Sequence, residues 1–198
     1  MTTNKRPVTP KIILGLVGEI ASGKDTVAAY LEKKYHSRTI SFSQPLRDIL
    51  TVINLPQTRK NMAWLGNDLR RRFGQDILAK AITNQVEKAT APIVCLPNVR
   101  LPQDITQLKT LPGFWLIHVD TEPEIRYKRL IKRTQNPDDQ TKTWAQFLRD
   151  AQLPTETKIR KLAKQASWRL DNNGSAANLK KQIDEMMKGI KSQIKNYK

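Results

Sequence analysis

The chain has one cysteine, two histidines and eight glycines in 198 residues, and its longest apolar run is Ile12 to Val17. A single Cys95 excludes an internal disulfide framework and suits a reducing compartment. His36 and His118 stand apart, with no Cys or His close in sequence, which argues against a zinc-type site. The apolar run is far too short to cross a bilayer. The opening residues, MTTNKRPVTPK, are polar and lack an apolar signal segment. These shortages lead to the expectation of a soluble, cytoplasmic protein with no membrane partner. Acids are also scarce: 18 Asp and Glu stand against 35 Lys and Arg, a formal charge of +17. Such a balance attracts polyanionic small molecules into a cleft, or nucleic acid. The basic residues are spread along most of the chain and no nucleic-acid motif accompanies them. Most therefore read as solvated faces, and nucleic acid is the disfavoured partner.

What is present is an alternation of strand-like and helix-like stretches, with a hydrophobic fraction of 38% that suffices for one sizeable core. Ile12 to Val17 reads as a strand buried on both faces. Asp25 to Tyr35 reads as a helix, with Val27, Ala28, Leu31 and Tyr35 on one side. Further strands are expected at Arg38 to Phe42, Pro92 to Leu96, Phe114 to Val119 and Ser167 to Leu170. Residues 44 to 88 have a helical pattern, broken near Pro56 and at Gly66 and Gly74. Thr121 is expected to cap a helix, with Pro123 and Glu124 in its first turn. The closing stretch aligns Leu179, Ile183, Met186, Ile190, Ile194 and Tyr197 on one stripe, a core-facing pattern. Alternation of this kind predicts a parallel sheet with helices on both faces.

The most informative stretch is GEIASGKDT, residues 18 to 26. Gly18, Gly23 and Lys24 fit G-x-x-x-x-G-K between an expected strand and an expected helix, the context the motif requires. Backbone N–H groups of such a loop and helix start point at phosphate oxygens, and Lys24 adds a point charge. Gly18, Ala21, Ser22, Gly23, Lys24, Asp25 and Thr26 are therefore the candidate triphosphate cradle. Asp25 stands where a Ser or Thr would ligate Mg²⁺ directly. A carboxylate there holds the ion through water instead, and suits the helix dipole.

This loop resembles that of P-loop kinases of the nucleoside-monophosphate-kinase type, deoxynucleoside monophosphate kinases especially. SFSQPLRDIL is similar to their F-x-x-P-L-[KR] segment, NVRLPQD to their D-V-R-F-P-N-E segment, and LGNDLRRRFGQDILAKAI to their substrate-side helices. VDTEPEIRYKRLIKR and RLDNNGSAANLKKQI resemble the lid helix and adenine-side loop of dephospho-CoA kinases. The chain departs from these patterns twice. Pro97-Asn98 replaces an acid after the third strand, and Phe42-Ser43-Gln44 replaces an Asp-x-Asp after the second. An acceptor hydroxyl needs a base, whereas a phosphate acceptor needs positioning and charge screening. The missing acids thus favour a phosphate acceptor, and they also favour weakened catalysis.

Arg126, Arg129 and Arg133 share one face of the helix after Thr121. The resemblance implies that this face closes over the transferring phosphoryl group, with residues 134 to 141 as the lid tip. Arg129 and Arg133, with Lys24, are the candidate catalytic residues. Arg126, Arg47 and Arg100 are candidates for the acceptor, the last two because they follow strands at the sheet's carboxyl edge. Of Arg70, Arg71 and Arg72, at most one can enter the cleft. Trp64, among Met62 and Leu65, reads as core rather than as a base-stacking residue. Asn172, Asn173 and Gly174 form a turn, and the resemblance implies that Asn173 and Gly174 meet adenine.

The resulting expectation is a single three-layer P-loop kinase domain over 1–198: a five-stranded parallel sheet with helices on both faces and a helical lid. Its core covers about 11–43, 91–121 and 166–198, its substrate-binding helices about 44–90 and its lid about 122–165. The expected activity is transfer of the γ-phosphoryl group of ATP, with Mg²⁺, to a nucleoside or deoxynucleoside monophosphate. Dephospho-CoA kinase is the alternative acceptor reading, and a weakened nucleotide-binding module associated with nucleic acid is the alternative class. The sequence does not specify an oligomeric state.

Overall fold

The structure, a computed structural model, describes residues 11–133 and 139–196. In chain order it contains β1 (Ile12–Val17), α1 (Lys24–Tyr35), β2 (Arg38–Thr39), α2 (Gln44–Val52), α3 (Arg59–Phe73), α4 (Ile77–Lys88) and β3 (Ile93–Leu96). Then follow α5 (Pro102–Leu108), β4 (Phe114–Asp120), α6 (Pro123–Leu130), α7 (Trp144–Asp150), α8 (Pro154–Ala163), β5 (Trp168–Asp171) and α9 (Ala176–Asn196). The five strands form one sheet in the order β2-β3-β1-β4-β5, and every pairing is parallel.

Side chains alternate across each strand, so the apolar strand sequences feed two separate layers. Ile12, Leu14 and Leu16 face one way, onto Val27 and Leu31 of α1 and Leu179, Ile183, Met186 and Ile190 of α9. Ile13 and Val17 face the other way, onto Ile82 and Val86 of α4, Ile105 and Leu108 of α5 and Ile159 and Leu162 of α8. A smaller cluster of Leu46, Leu50, Leu65 and Leu78 holds α2, α3 and α4 together to one side. β1 lies centrally, with β3 and β2 on one side and β4 and β5 on the other, so the carboxyl end of β1 opens at the switch point where ligands bind in such sheets.

Several expectations need correction. Gly66 does not break a helix: α3 runs through it, and the missing side chain lets Leu46 of α2 approach to 3.3 Å from where a Cβ would stand. Trp64 is not core; it is half exposed, because Met62, Leu65 and Leu69 form the inward stripe of α3. β2 pairs only at Arg38 and Thr39, with one further ladder bond from Ile40 N to Cys95 O at 2.9 Å, before the chain turns at Ser41 to Ser43. Thr121 does not cap α6. The cap is Glu122, with no side-chain bond, and the Thr121 hydroxyl is used elsewhere. Part of the segment assigned to the lid is core, since Ile159 and Leu162 of α8 pack under the sheet. Tyr197 and residues 134 to 138 of the lid tip lie outside the described residues.

α1 and α9 are also joined by a polar clamp. Asp184 accepts from Lys34 Nζ at 2.7 Å, Tyr35 Oη at 2.7 Å and Tyr30 Oη at 3.0 Å. The Lys34 bond holds the Asp184 carboxyl below its ordinary range. A carboxylate with a lowered folded pKa stabilises above its unfolded pKa and loses that contribution as pH falls. Asp184→Asn should therefore lower the melting temperature by a constant amount from pH 5 to 9, with the deficit shrinking below about pH 4. Thermal melts across pH test this, and a deficit that grows in acid would contradict it. Separately, Gly113 has φ +84°, and a Cβ there would stand 2.1 Å from the Lys11 carbonyl oxygen. Gly113→Ala should cost at least roughly 1–3 kcal/mol in urea denaturation. Gly174→Ala, which meets nothing closer than 3.6 Å, should stay within about 1 kcal/mol of the parent.

Candidate active site

The loop from Gly18 to Gly23 leaves β1 and enters α1 through two left-handed residues, Ala21 at φ 59° and Gly23 at φ 96°. Its shape is fixed from outside. The Ser22 carbonyl accepts from the buried Thr121 hydroxyl at 2.9 Å and from the buried Asn172 Nδ2 at 2.8 Å. Both donors come from the ends of neighbouring strands, β4 and β5. A Cβ on Gly23 would lie 2.1 Å from Asn172 Nδ2, so only glycine admits this bond. Ser22 N donates within the loop to Glu19 O at 3.2 Å; with Ser22 O turned inward, the other amide groups of the turn can form an anion-binding nest.

Glu19 ties the loop to the lid side. Its Oε2 is 3.1 Å from Arg126 Nη2 and its Oε1 is 2.9 Å from Arg160 Nη1. Arg126 is 3% exposed, donates through Nε to Thr121 O at 3.1 Å and lies over the Phe147 ring. Its charged head is thus engaged by protein groups, not turned to a cleft as the sequence suggested. Phe147 in turn belongs to an aromatic trio with Tyr127 and Trp144, ring centroids 5.2 to 5.6 Å apart, that joins α6 to α7. Arg160 also donates to Ala151 O at 2.8 Å.

Lys24 is buried and donates from Nζ to Gly18 O at 2.7 Å, Glu19 O at 3.0 Å and Ser22 Oγ at 3.4 Å. Burial first, and then the charge of Arg100, lower its pKa to about 8; Asp25 and Glu156 oppose the shift. The ammonium is therefore short of negative charge. Arg129 lies against the same loop: Nη2 donates to Asn172 O at 2.9 Å, and Nη1 is shielded without a partner, 3.8 Å from the Cβ position of Gly23. Burial alone lowers its pKa. Asp25 and Thr26 are exposed in the first turn of α1. A groove of about 820 Å³ between α1 and α9 touches the loop only through these two residues, and Lys24 is not among its walls.

The other sequence candidates are distributed as follows. Arg133 is turned onto Asp139, with Nε to Oδ2 at 2.7 Å and Nη2 to Oδ1 at 3.3 Å, so it reaches the loop only after leaving that carboxylate. Arg47 is exposed and donates to Gln57 at 3.1 Å. Arg100 is exposed beside the turn held by the buried Asp104, which accepts from Arg100 N at 3.2 Å and Leu101 N at 2.9 Å. Of the arginine triplet, Arg71 pairs with Asp68 at the surface and Arg72 is exposed, while Arg70 turns inward with Nε shielded and unpaired. The Asn173 side chain joins the β5 turn to α6, accepting from Glu122 N at 2.7 Å and donating to Asp171 at 2.6 Å; Gly174 is exposed beside it. Among the described residues no three His, Cys, Asp or Glu side chains converge on a metal position. Mg²⁺ does not require such a cage, since phosphate oxygens and one or two carboxylates suffice.

Comparison with known proteins gives the fold a context. No family model matches the chain. A UPF0200 protein of Saccharolobus islandicus is 24% identical over 181 residues, 90% of this chain and 93% of its own length. A UPF0200 protein of Methanoculleus marisnigri is 26% identical over 130 residues, 65% of this chain and 70% of its own. Shikimate kinase from Bacteroides thetaiotaomicron superposes with a TM-score of 0.60 at 14% identity, covering 91% of this chain and 98% of that one. TT1252 from Thermus thermophilus gives 0.57 at 18% identity, again over 91% and 98%. At such identities the likeness is one of fold, and it does not single out the nucleoside-monophosphate or dephospho-CoA branch. The chain has the three-layer P-loop kinase fold.

Proposed function

We propose that this chain transfers the γ-phosphoryl group of ATP to a small-molecule phosphate acceptor, a nucleoside or deoxynucleoside monophosphate. The observation that carries the reading is the pairing, at one loop, of a buried lysine with a half-buried arginine that has one shielded, unpaired nitrogen. Lys24 Nζ hydrogen-bonds only to neutral oxygens, with Asp25 and Glu156 acting on it at longer range, and Arg129 Nη1 has no hydrogen-bond partner. Buried charges of one sign without counter-charge are costly, and a triphosphate supplies that counter-charge to both. Mg²⁺ would supply charge neutralisation to the phosphates, and the exposed carboxylate of Asp25 would hold it through water.

The acceptor side rests on Arg70, with its shielded and unpaired Nε, and on exposed Arg100, whose turn Asp104 fixes. Guanidinium groups suit a phosphate acceptor because their planar forks match its oxygens. The ends of β2 and β3 offer no acid to deprotonate a hydroxyl, which favours an acceptor that is already an anion. Exclusion of water would fall to α6 and α7, stiffened by the aromatic trio.

Two substitutions test the reading. Lys24→Ala should weaken ATP binding by an order of magnitude or more in calorimetry and abolish transfer, while thermal melts show a folded protein. Unchanged affinity and turnover would reject the loop as the donor site. Arg129→Met should lower kcat on the order of 10²–10³-fold with a much smaller change in the KM for ATP, because its free nitrogen should act most strongly on the charge that develops during transfer. Coupled assays over a panel of nucleoside monophosphates supply both numbers. A change in KM alone would make Arg129 a simple binding group.

A further inference from the structure

We propose that Glu156 is the carboxylate that faces the divalent cation of the bound triphosphate, delivered from α8 because the ends of β2 and β3 carry Phe42-Ser43-Gln44 and Pro97-Asn98 instead of acids. The inference rests on the nucleotide reading of the loop given above. Its starting point is an atom: Glu156 Oε2 is shielded from solvent and has no hydrogen-bond partner. A carboxylate oxygen withdrawn from water without a donor costs free energy. A position of that kind is maintained where something arrives to meet it.

The placement says what arrives. Glu156 stands in the first turn of α8, and Ile159 and Leu162 of the same helix are buried beneath the sheet. The helix is therefore part of the rigid body. Arg160 follows Glu156 by one turn on the same face and reaches the loop residue Glu19 at 2.9 Å. Glu156 consequently faces the loop from the side that Arg160 anchors. Its charge acts favourably on Lys24, as does that of Asp25. The two carboxylates lie near the same ammonium, Asp25 from α1 and Glu156 from α8.

A lone carboxylate beside a triphosphate is repulsive, and the cost is reversed only by a cation between them. Mg²⁺ is bound by one or two carboxylates, directly or through its waters, together with phosphate oxygens. Two carboxylates from different helices meet that need, and no strand-end acid is required. Metal binding would then depend on α8 being seated, which is also what the Arg160–Glu19 pair secures.

The sign of the effect makes the idea testable apart from turnover. ATP affinity is measured by calorimetry with EDTA and with Mg²⁺, and protein-bound Mn²⁺ in the presence of ATP is counted by electron paramagnetic resonance. Glu156→Gln should bind ATP several-fold more tightly in EDTA, because a repulsive charge is gone. With Mg²⁺ it should bind several-fold more weakly, and the Mn²⁺ affinity of the ATP complex should fall about 10–100-fold. Restoring an acid at the strand end, Asn98→Asp in the Glu156→Gln background, should recover part of the Mn²⁺ affinity. Should Glu156→Gln fail to fold in thermal melts, Glu156→Asp keeps the charge and should give an intermediate Mn²⁺ affinity. An unchanged Mn²⁺ affinity in Glu156→Gln, or in Glu156→Asp if it is the variant used, overturns the proposal while leaving the nucleotide reading intact. So does an ATP affinity that moves in the same direction with and without metal. A parent protein that binds no ATP in either condition removes the nucleotide reading and this proposal together.

Discussion

Glu19 is an acid inside a loop shaped to receive anions, and the two arginines that hold it organise the whole site. Left free, its carboxylate would compete with a phosphate for the loop's amide groups. Arg126 and Arg160 draw it outward, one from α6 and one from α8. Each arginine is also bonded to a carbonyl, Thr121 O and Ala151 O, so neither depends on Glu19 alone for its position. Breaking one partner of such a shielded group leaves the others exposed to its uncompensated charge. The same two helices carry Arg129 and Glu156, so the geometry of the candidate phosphate site follows from how Glu19 is tied.

The parallel sheet and the loop are both readable in the sequence, for one physical reason; the strand order is not. Strands buried on both faces need continuous apolar runs, and a phosphate loop needs glycines at a fixed short spacing followed by a lysine, so each leaves a local signature. What could not be read depends on contacts between distant residues. Thr121 has the sequence context of a helix cap, yet its hydroxyl bonds the Ser22 carbonyl across the sheet edge, sharing that acceptor with Asn172 Nδ2. Arg126 lies on the expected face of α6, but Glu19 and Phe147 claim it. Gly66 was read as a breaker because glycine is poor in helices; the close approach of Leu46 that offsets its cost is a tertiary contact. One missed signal was available: a glutamate directly after Gly18, in a chain with few acids, needs basic partners, and Arg160 falls one turn after Glu156.

The positive charge of the chain also looks different at the site than in composition. Most lysines are exposed on helix faces, as on α9, where they surround a buried stripe of Leu179, Ile183, Met186 and Ile190. That is solvated charge, of little energetic consequence singly. The cations that matter are fewer and mostly arginine. Each is held by a specific oxygen: Arg129 by Asn172 O, Arg126 by Glu19, Arg133 by Asp139. Arginine serves here because one nitrogen can be anchored while another remains available, which a lysine head cannot do with the same directionality.

Two unpaired atoms of opposite sign belong to residues at the loop: Arg129 Nη1, beside Gly23, and Glu156 Oε2, whose carboxylate acts on Lys24. They do not satisfy each other, although each is shielded from water. A fold optimised for stability alone would pair them or replace both with apolar groups. On the proposed reading, their separation fits a ligand that carries both signs. The negative oxygens of a triphosphate would satisfy the guanidinium and the ammonium, and the cation that accompanies the triphosphate would satisfy the carboxylate. An anion alone would leave Glu156 repelled, and a cation alone would leave Arg129 and Lys24 unmet. On that reading the loop, the α6 arginine and the α8 glutamate would complement a metal–nucleotide pair rather than either component, and that complementarity would tie the loop to the helices on its lid side.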